Sequence, residues 1–168
     1  MPTQITIRPT TARDLPRVDA LLQASYPTLL KPDYAPSVLV TALPLIARAN
    51  PALLRSGSYY LAEDADGHAL AAGGWSHTGP QGGVGPRDLG HVRHVVTHPD
   101  AARRGLAAAI LSRVFLDARA AGLTWMLAMS TRTAVPFYRA MGFEDRAEVE
   151  IMLRPGVAFP AVEMARGL

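Results

Sequence analysis

Between Leu89 and Gly122 the chain changes its periodicity once, and that switch limits the available folds more than any other feature. LGHVRHVVTH alternates as a β-strand does, Pro99 and Asp100 turn the chain, and RRGLAAA opens a helix. Leu106, Ile110, Leu111, Val114, Phe115 and Ala118 then recur at helical spacing until Gly122 stops the run. A strand that feeds an amphipathic helix requires a sheet with a helix packed on it.

The remaining segments fit that demand. ITIRP at 5–9 reads as a first strand, and 11–25 as a helix carrying Leu15, Val18, Leu21 and Leu22. YPTLLKPDYAPS reads as a loop, and 38–50 as a second helix stopped by Asn50-Pro51. SYYLAED and ALAAGGWSH pair as a hairpin about Asp66-Gly67, and a Gly- and Pro-rich loop follows at 77–88. LTWMLAMS is a buried-strand candidate, and TAVPFYRAM a short helix closed by Gly142. AEVEIML with FPAVEMAR can form a terminal hairpin. The order is β-α-α-β-β-β-α-β-α-β-β, an α/β sandwich of helices on a mixed sheet. With 168 residues, no repeat and no internal linker, residues 1–168 read as one domain.

Composition narrows the function classes. Hydrophobic residues make up 49% and charged residues 18%, the balance of a chain with a packed core. There is no cysteine, which excludes a disulfide framework, thiolate metal ligands and a cysteine nucleophile. Net charge is +3, and no basic run exceeds two residues, which favours compact anions over a nucleic-acid track. The N-terminus lacks signal-peptide character, and VLVTALPLIA is about half a membrane span in length, so a cytoplasmic protein with no membrane partner is expected.

His91, His94 and His98 invite a metal reading. In a strand, however, His91 and His94 point to opposite faces, and His94 and His98 stand roughly 13 Å apart. They cannot converge on one ion, so no metal is expected. Arg93, Arg103 and Arg104 lack interleaved aromatics, so a nucleic-acid partner is not expected either. The start of the RRGLAAA helix offers a third reading. Free backbone N–H groups and the helix dipole favour an anion there, and Gly105 lets the backbone approach it closely. An ordinary helix start that binds nothing fits this segment equally well. Walker and Rossmann glycine patterns are both absent.

Two motifs join this element order. HPDAARRGLA resembles the acetyl-CoA-binding segment of the GNAT superfamily of N-acetyltransferases, with the pattern (Arg/Gln)-x-x-Gly-x-(Gly/Ala). AVPFYRAMGF resembles the family's later segment, a short helix with a tyrosine ahead of Gly-Phe, and PAVEMARGL its last strand. The resemblance spans nearly the whole chain. It departs from the pattern at Ala102, where Arg or Gln is usual, and at Thr133, where many relatives carry Asn.

The resemblance implies a mixed, mostly antiparallel central sheet flanked by helices on both faces, and acetyl-CoA as cosubstrate. It assigns the pyrophosphate to Arg103, Arg104, Gly105, Leu106, Ala107 and Ala108, with Thr133 nearby. It pairs the pantetheine arm with the backbone of Val95, Val96 and Thr97, by strand addition. It implies direct acetyl transfer to a small-molecule or peptide amine, and it is compatible with a homodimer. A catalytically silent CoA or acyl-CoA sensor on the same fold is the alternative.

Acetyl transfer needs a neutral amine, a proton acceptor, an oxyanion donor and a proton for the leaving thiolate. A backbone N–H near Val95 or Val96 suits the oxyanion. The family motif makes Tyr138 the proton donor to sulfur; without it, Tyr138 reads as a core residue between Phe137 and Met141. His91 matches the region where relatives hold a base, and its imidazole suits neutral pH; a packing role fits it as well. His94 is the reserve candidate, and water can serve with no dedicated base. Strict alternation puts Val92, His94 and Val96 on one face, and His91, Arg93, Val95 and Thr97 on the other. Trp75 and Trp125 read as core, and Tyr59-Tyr60 as strand packing. By resemblance, Tyr26, Asp33 and Tyr34 shape the acceptor pocket. His68 has no evident role, and the acids at 144–150 read as solvated strand edges.

Overall fold

The computed structural model describes residues 4–79, 82–83 and 85–168. The N-terminal reading and part of the 77–88 loop therefore fall partly outside the described residues. Seven strands form one sheet: β1 (Thr6–Pro9), β2 (Tyr59–Glu63), β3 (Ala69–Ser76), β4 (Leu89–Thr97), β5 (Trp125–Ser130), β6 (Glu144–Arg154) and β7 (Val157–Gly167). Their spatial order is β1-β2-β3-β4-β5-β7-β6, and only β4 and β5 run parallel.

Five α-helices flank it: α1 (Leu15–Leu29), α2 (Pro36–Ile46), α3 (Pro51–Leu54), α4 (Leu106–Ala120) and α5 (Val135–Ala140). On one face α1 packs over β3 and β4 through Val18, Leu21, Leu22, Tyr59, Leu61 and Val96. On the same face α2 covers the β6–β7 hairpin through Leu39, Ala42, Phe159 and Ile151. On the other, α4 and α5 bury Ile110, Leu111, Val114, Phe115 and Val135 against Tyr60, Val92, Met126 and Met164. Tyr59 and Tyr60 thus point to opposite faces, as strand geometry demands, and both are buried.

Three local readings change. The first helix continues through Pro27 to Leu29, shortening the expected loop. The second ends at Ile46, and Asn50 begins a further turn instead of stopping one. Its side chain accepts hydrogen bonds from the Ala52 and Leu53 amides, with Pro51 in the first turn, and both are marks of a helix start. Trp125 is not in the core: it is 45% exposed, with the Arg146 guanidinium 5.8 Å from its ring centroid. Trp75 is buried, as expected.

Charged contacts tie the first strand to the first helix. Arg8 donates to both oxygens of Asp14 at 2.9 and 3.0 Å and to Glu63 at 2.8 Å, while Arg17 reaches Glu63 at 2.8 Å. Asp14 also accepts from the Thr11 amide, closing a capping box. The Arg8 guanidinium beside it, with the Thr11 amide and Arg17, holds the Asp14 carboxyl down at about 2.

Candidate active site

The decisive local feature lies in the middle of β4. Against β3, Arg93 sits opposite Gly74 and Val96 opposite Ala72, so two residues, His94 and Val95, face a single partner position. This is a β-bulge, and His94 carries a left-handed backbone, φ 45°. The extra residue flips the alternation beyond it. Val92 and Val95 both pack toward α4, whereas Val96 packs toward α1. Thr97, opposite Ala71, joins Val95, and Arg93 lies on the α1 face with His91. Strict alternation therefore misassigned Val95, Val96 and Thr97, because a bulge shifts side-chain phase by one. The Tyr59 hydroxyl donates to the His94 carbonyl at 2.9 Å, holding the bulged peptide from the α1 side.

Past the bulge the strand also loses its neighbour. β5 pairs with β4 only from Leu89 to His91, so the later β4 edge has no strand partner on that side. A cleft of about 370 Å³ opens there. Its wall includes Val95, Val96, Thr97, Arg103, Arg104, Gly105, Leu106, Ala107, Ala108 and Thr133, together with Tyr26, Leu29 and Phe137. All ten residues expected to hold a cofactor thus line one cavity.

At the start of α4 the backbone turns through two left-handed residues. Arg103 and Gly105 both adopt left-handed φ values, 63° and 74°. A non-glycine residue held in that region is a mark of a functional constraint. Within the described residues none of the amides from Arg103 to Ala108 donates a hydrogen bond. A Cβ built on Gly105 would meet nothing within 4 Å, so the space above it is open. Six free N–H groups, the positive end of a 15-residue helix and two arginines converge on one wall.

Other predicted residues divide between cleft and scaffold. Thr133 lines the cleft, yet its hydroxyl donates to Asp33 at 2.7 Å, joining the α1–α2 loop to the β5–α5 loop. Tyr34 is scaffold: its ring stacks on Phe159 at 4.6 Å, and its hydroxyl donates to the Pro160 carbonyl while accepting from the Arg132 amide. Tyr138 is 6% exposed, with its ring edge-on to Phe137 and Phe143 at 5.2 and 5.3 Å. Burial raises its phenol pKa further, with Tyr26 adding to the shift, so the proton stays on oxygen at neutral pH. Its hydroxyl has no hydrogen-bond partner among the described residues and remains free to act as a donor.

On the α1/α2 face, His91 lies in register with Ser76 and Leu127, and Gly79 rests on its imidazole, 3.3 Å from Cε1 to a Cβ built there. Burial and the Arg93 cation push its pKa below the ordinary histidine value, while Glu163 opposes them. Glu163 is a residue the sequence reading missed. It sits opposite Met129, two positions along β7 from Ala165, which pairs with Leu127, and so shares His91's face across β5. Only sheet register reveals this, since the two residues are 72 positions apart in the chain. His94 is pushed down to about 4 by burial, with Arg93 contributing, and stays neutral. His68 contacts Asp64 at 3.0 Å in its hairpin, remote from the cleft.

The acetyltransferase (GNAT) domain family matches residues 55–145, which is more than half of the chain and includes the bulge, the anion wall and the tyrosine helix. The chain belongs to the GNAT acetyltransferase family. Solved GNAT structures share its fold over the full length. A GCN5-related N-acetyltransferase from Rhodopseudomonas palustris superimposes with a TM-score of 0.75 at 17% identity, over 100% of this chain and 99% of the other. The PaiA N-acetyltransferase from Thermoplasma acidophilum, in complex with coenzyme A, gives 0.73 at 12% identity, over 98% and 99%. N-acetylglutamate synthase from Neisseria gonorrhoeae, complexed with coenzyme A and N-acetyl-glutamate, gives 0.65 at 17%, over 98% of this chain and 35% of that one. No curated protein matches the sequence. Like its structural relatives, this GNAT protein is a mixed, mostly antiparallel sheet with helices on both faces. Among the described residues no helix is long and apolar enough to cross a membrane.

Proposed function

We propose that residues 1–168 form a single acetyltransferase domain that moves an acetyl group directly from acetyl-CoA to a primary amine. One observation carries the reading: six consecutive unpartnered amides, Arg103 to Ala108, face a cleft whose other wall is an unpaired strand edge. A diphosphate suits the first, and an extended pantetheine arm the second. The open space over Gly105 and the charges of Arg103 and Arg104 fit that cargo. Thr133 lines the same cleft, with its hydroxyl already committed to Asp33. When bound, acetyl-CoA supplies the activated acetyl group.

The chain's own groups then have separable tasks. A main-chain N–H near Val95 or Val96, at the bulge, stabilises the oxyanion, as preorganised amides do in other acyl transfers. His91, its pKa lowered from the ordinary imidazole value by burial and the Arg93 cation, accepts the proton that the attacking amine loses. Tyr138 holds its proton and donates it to the departing sulfur. As the C–N bond forms and the C–S bond breaks, one proton leaves nitrogen and another reaches sulfur. The acceptor is a small molecule or peptide, the setting cytoplasmic, and the assembly a monomer or homodimer.

The test couples two measurements. Coenzyme A binding is followed by calorimetry, and free-thiol release from acetyl-CoA is followed over a panel of primary amines. Binding together with amine-dependent thiol release is expected. Tight binding with no turnover on any amine would transfer the assignment to a silent acyl-CoA sensor, and absence of binding would end both readings.

A further inference from the structure

Arg93 is a half-buried cation with no counter-ion within 4 Å among the described residues. Its Nη1 donates to Ser76 Oγ at 2.9 Å, while its Nε–H is buried and has no acceptor among the described residues. Nη2 likewise has no hydrogen bond there. The free Nε–Nη2 edge is the side of a guanidinium that chelates a carboxylate with two parallel hydrogen bonds. No acid of the described residues lies within 4 Å of it, in contrast to Arg8, Arg17, Arg113 and Arg139. Residues 1–3, 80, 81 and 84 contain no acidic side chain to serve instead.

Burying an N–H without an acceptor is costly, and a ligand that supplies the missing partner recovers that cost. The position indicates which ligand. Arg93 immediately precedes the β4 bulge, lies on the α1 face with His91 two residues away, and lies outside the wall of the cleft that suits acetyl-CoA. It therefore stands beside the bulge on the face opposite α4, where the proposed base also lies. The groups facing it from neighbouring elements are Tyr59 of β2, Ser76 of β3 and the two histidines of its own strand, with Glu163 acting on His91 from β7.

We propose that Arg93 anchors an anionic group of the acceptor, so that the preferred substrate is an amine that also carries a carboxylate, as a free amino acid does. This rests on the acetyl-transfer reading and narrows its substrate. Arg93 fixes the carboxylate side-on through Nε and Nη2, Ser76 holds the fork in place through Nη1, and the amine is turned toward His91 and the bulge. Glu163, across the sheet, is placed to favour the approach of the ammonium form before its proton is lost.

The experiment compares amino acids with their own carboxamides, which differ at the proposed anchor and retain the amine. Binding to the coenzyme A-loaded protein is read by calorimetry, and acetylation by thiol release. At least one amino acid should bind and react about 100-fold better than its amide, the loss expected when a charged hydrogen-bonded partner is removed. Arg93→Gln should bring that ratio near one by raising KM for the acid, and Arg93→Lys should restore part of it. Coenzyme A affinity of each variant, measured separately, reports whether it has folded. Wild-type protein that takes amides as readily as acids, or Arg93→Gln that keeps the discrimination, overturns the proposal. If acids bind selectively but no amine is acetylated, the transfer reading fails while the anchor stands.

Discussion

The Tyr59 hydroxyl donates a 2.9 Å hydrogen bond to the carbonyl of His94, the residue at which β4 bulges. Tyr59 lies two strands away, opposite Gly74, whose partner is Arg93. A glycine at 74 leaves room for the ring to cross beneath β3, where a Cβ would stand 2.8 Å from its Cδ2. Tyr59→Phe keeps the ring and removes the bond, which should lower stability by about 1 kcal/mol. Acetyl transfer should fall further than coenzyme A affinity, because the bulged peptide and not the phosphate wall loses its support. Thermal melts, calorimetry and steady-state kinetics on the one variant separate these effects.

Gly105 tests the anion wall through two substitutions. Gly105→Ala strains a φ of 74° in open space and should cost about 1 kcal/mol with coenzyme A still bound. Gly105→Glu adds bulk and negative charge to the same place and should abolish binding. Wild-type affinity in the glutamate variant would contradict the phosphate assignment.

Tyr138→Phe isolates the proton donor. The ring sits between Phe137 and Phe143 and the hydroxyl makes no hydrogen bond among the described residues, so the variant should fold with near wild-type stability. Turnover should drop by roughly 100-fold, the range of general acid catalysis, with little change in coenzyme A affinity. Unchanged kcat would return Tyr138 to a packing role.

His94 makes stability depend on pH. Its folded pKa, pushed down to about 4, lies below the ordinary value near 6.5 of the unfolded chain. Between those values the unfolded state binds the extra proton, so stability falls as pH drops from about 6.5 toward 4. His91, also depressed by burial and Arg93, adds to the loss of stability below its ordinary value. Asp14, with its pKa held at about 2 against an ordinary value of 3.8, adds its loss only below pH 4. Denaturant melts at stepped pH should show the upper window flattened by His94→Gln, and an unchanged slope would show that the imidazole does not stay neutral on folding.

Asp14→Asn should destabilise the junction of β1, β2 and α1. The carboxylate is 6% exposed and satisfies Arg8, Arg17 and the Thr11 amide together. Loss of its charge leaves two guanidinium groups sharing Glu63, at a cost of about 2 kcal/mol. Urea midpoints report the change.

The run of free amides at the start of α4 is legible in the residue pattern alone, because it is built from consecutive positions. Arg103 to Ala108 follow a strand and a turn, and the free amides of a helix start are a local property of the backbone. The reading of Asn50-Pro51 failed for a local reason as well. The same pair that can follow one helix can cap the next, and only the hydrogen bonds to Ala52 and Leu53 decide. Trp125 failed for a global one: its strand is apolar, but its ring stands at the exposed end of the sheet beside Arg146.

By itself the sequence determined the order of strands and helices apart from the short α3, the glycine-led turn into α4 and the family to which the chain belongs. All three are written in periodicity and in short contiguous motifs. Tertiary structure alone decided the phase of β4 beyond His94, the placing of Glu163 on His91's face, and the burial of the Arg93 Nε–H without an acceptor among the described residues. A bulge leaves no mark in a hydrophobic pattern, and residues 72 positions apart meet only when strand order and register bring them onto one face.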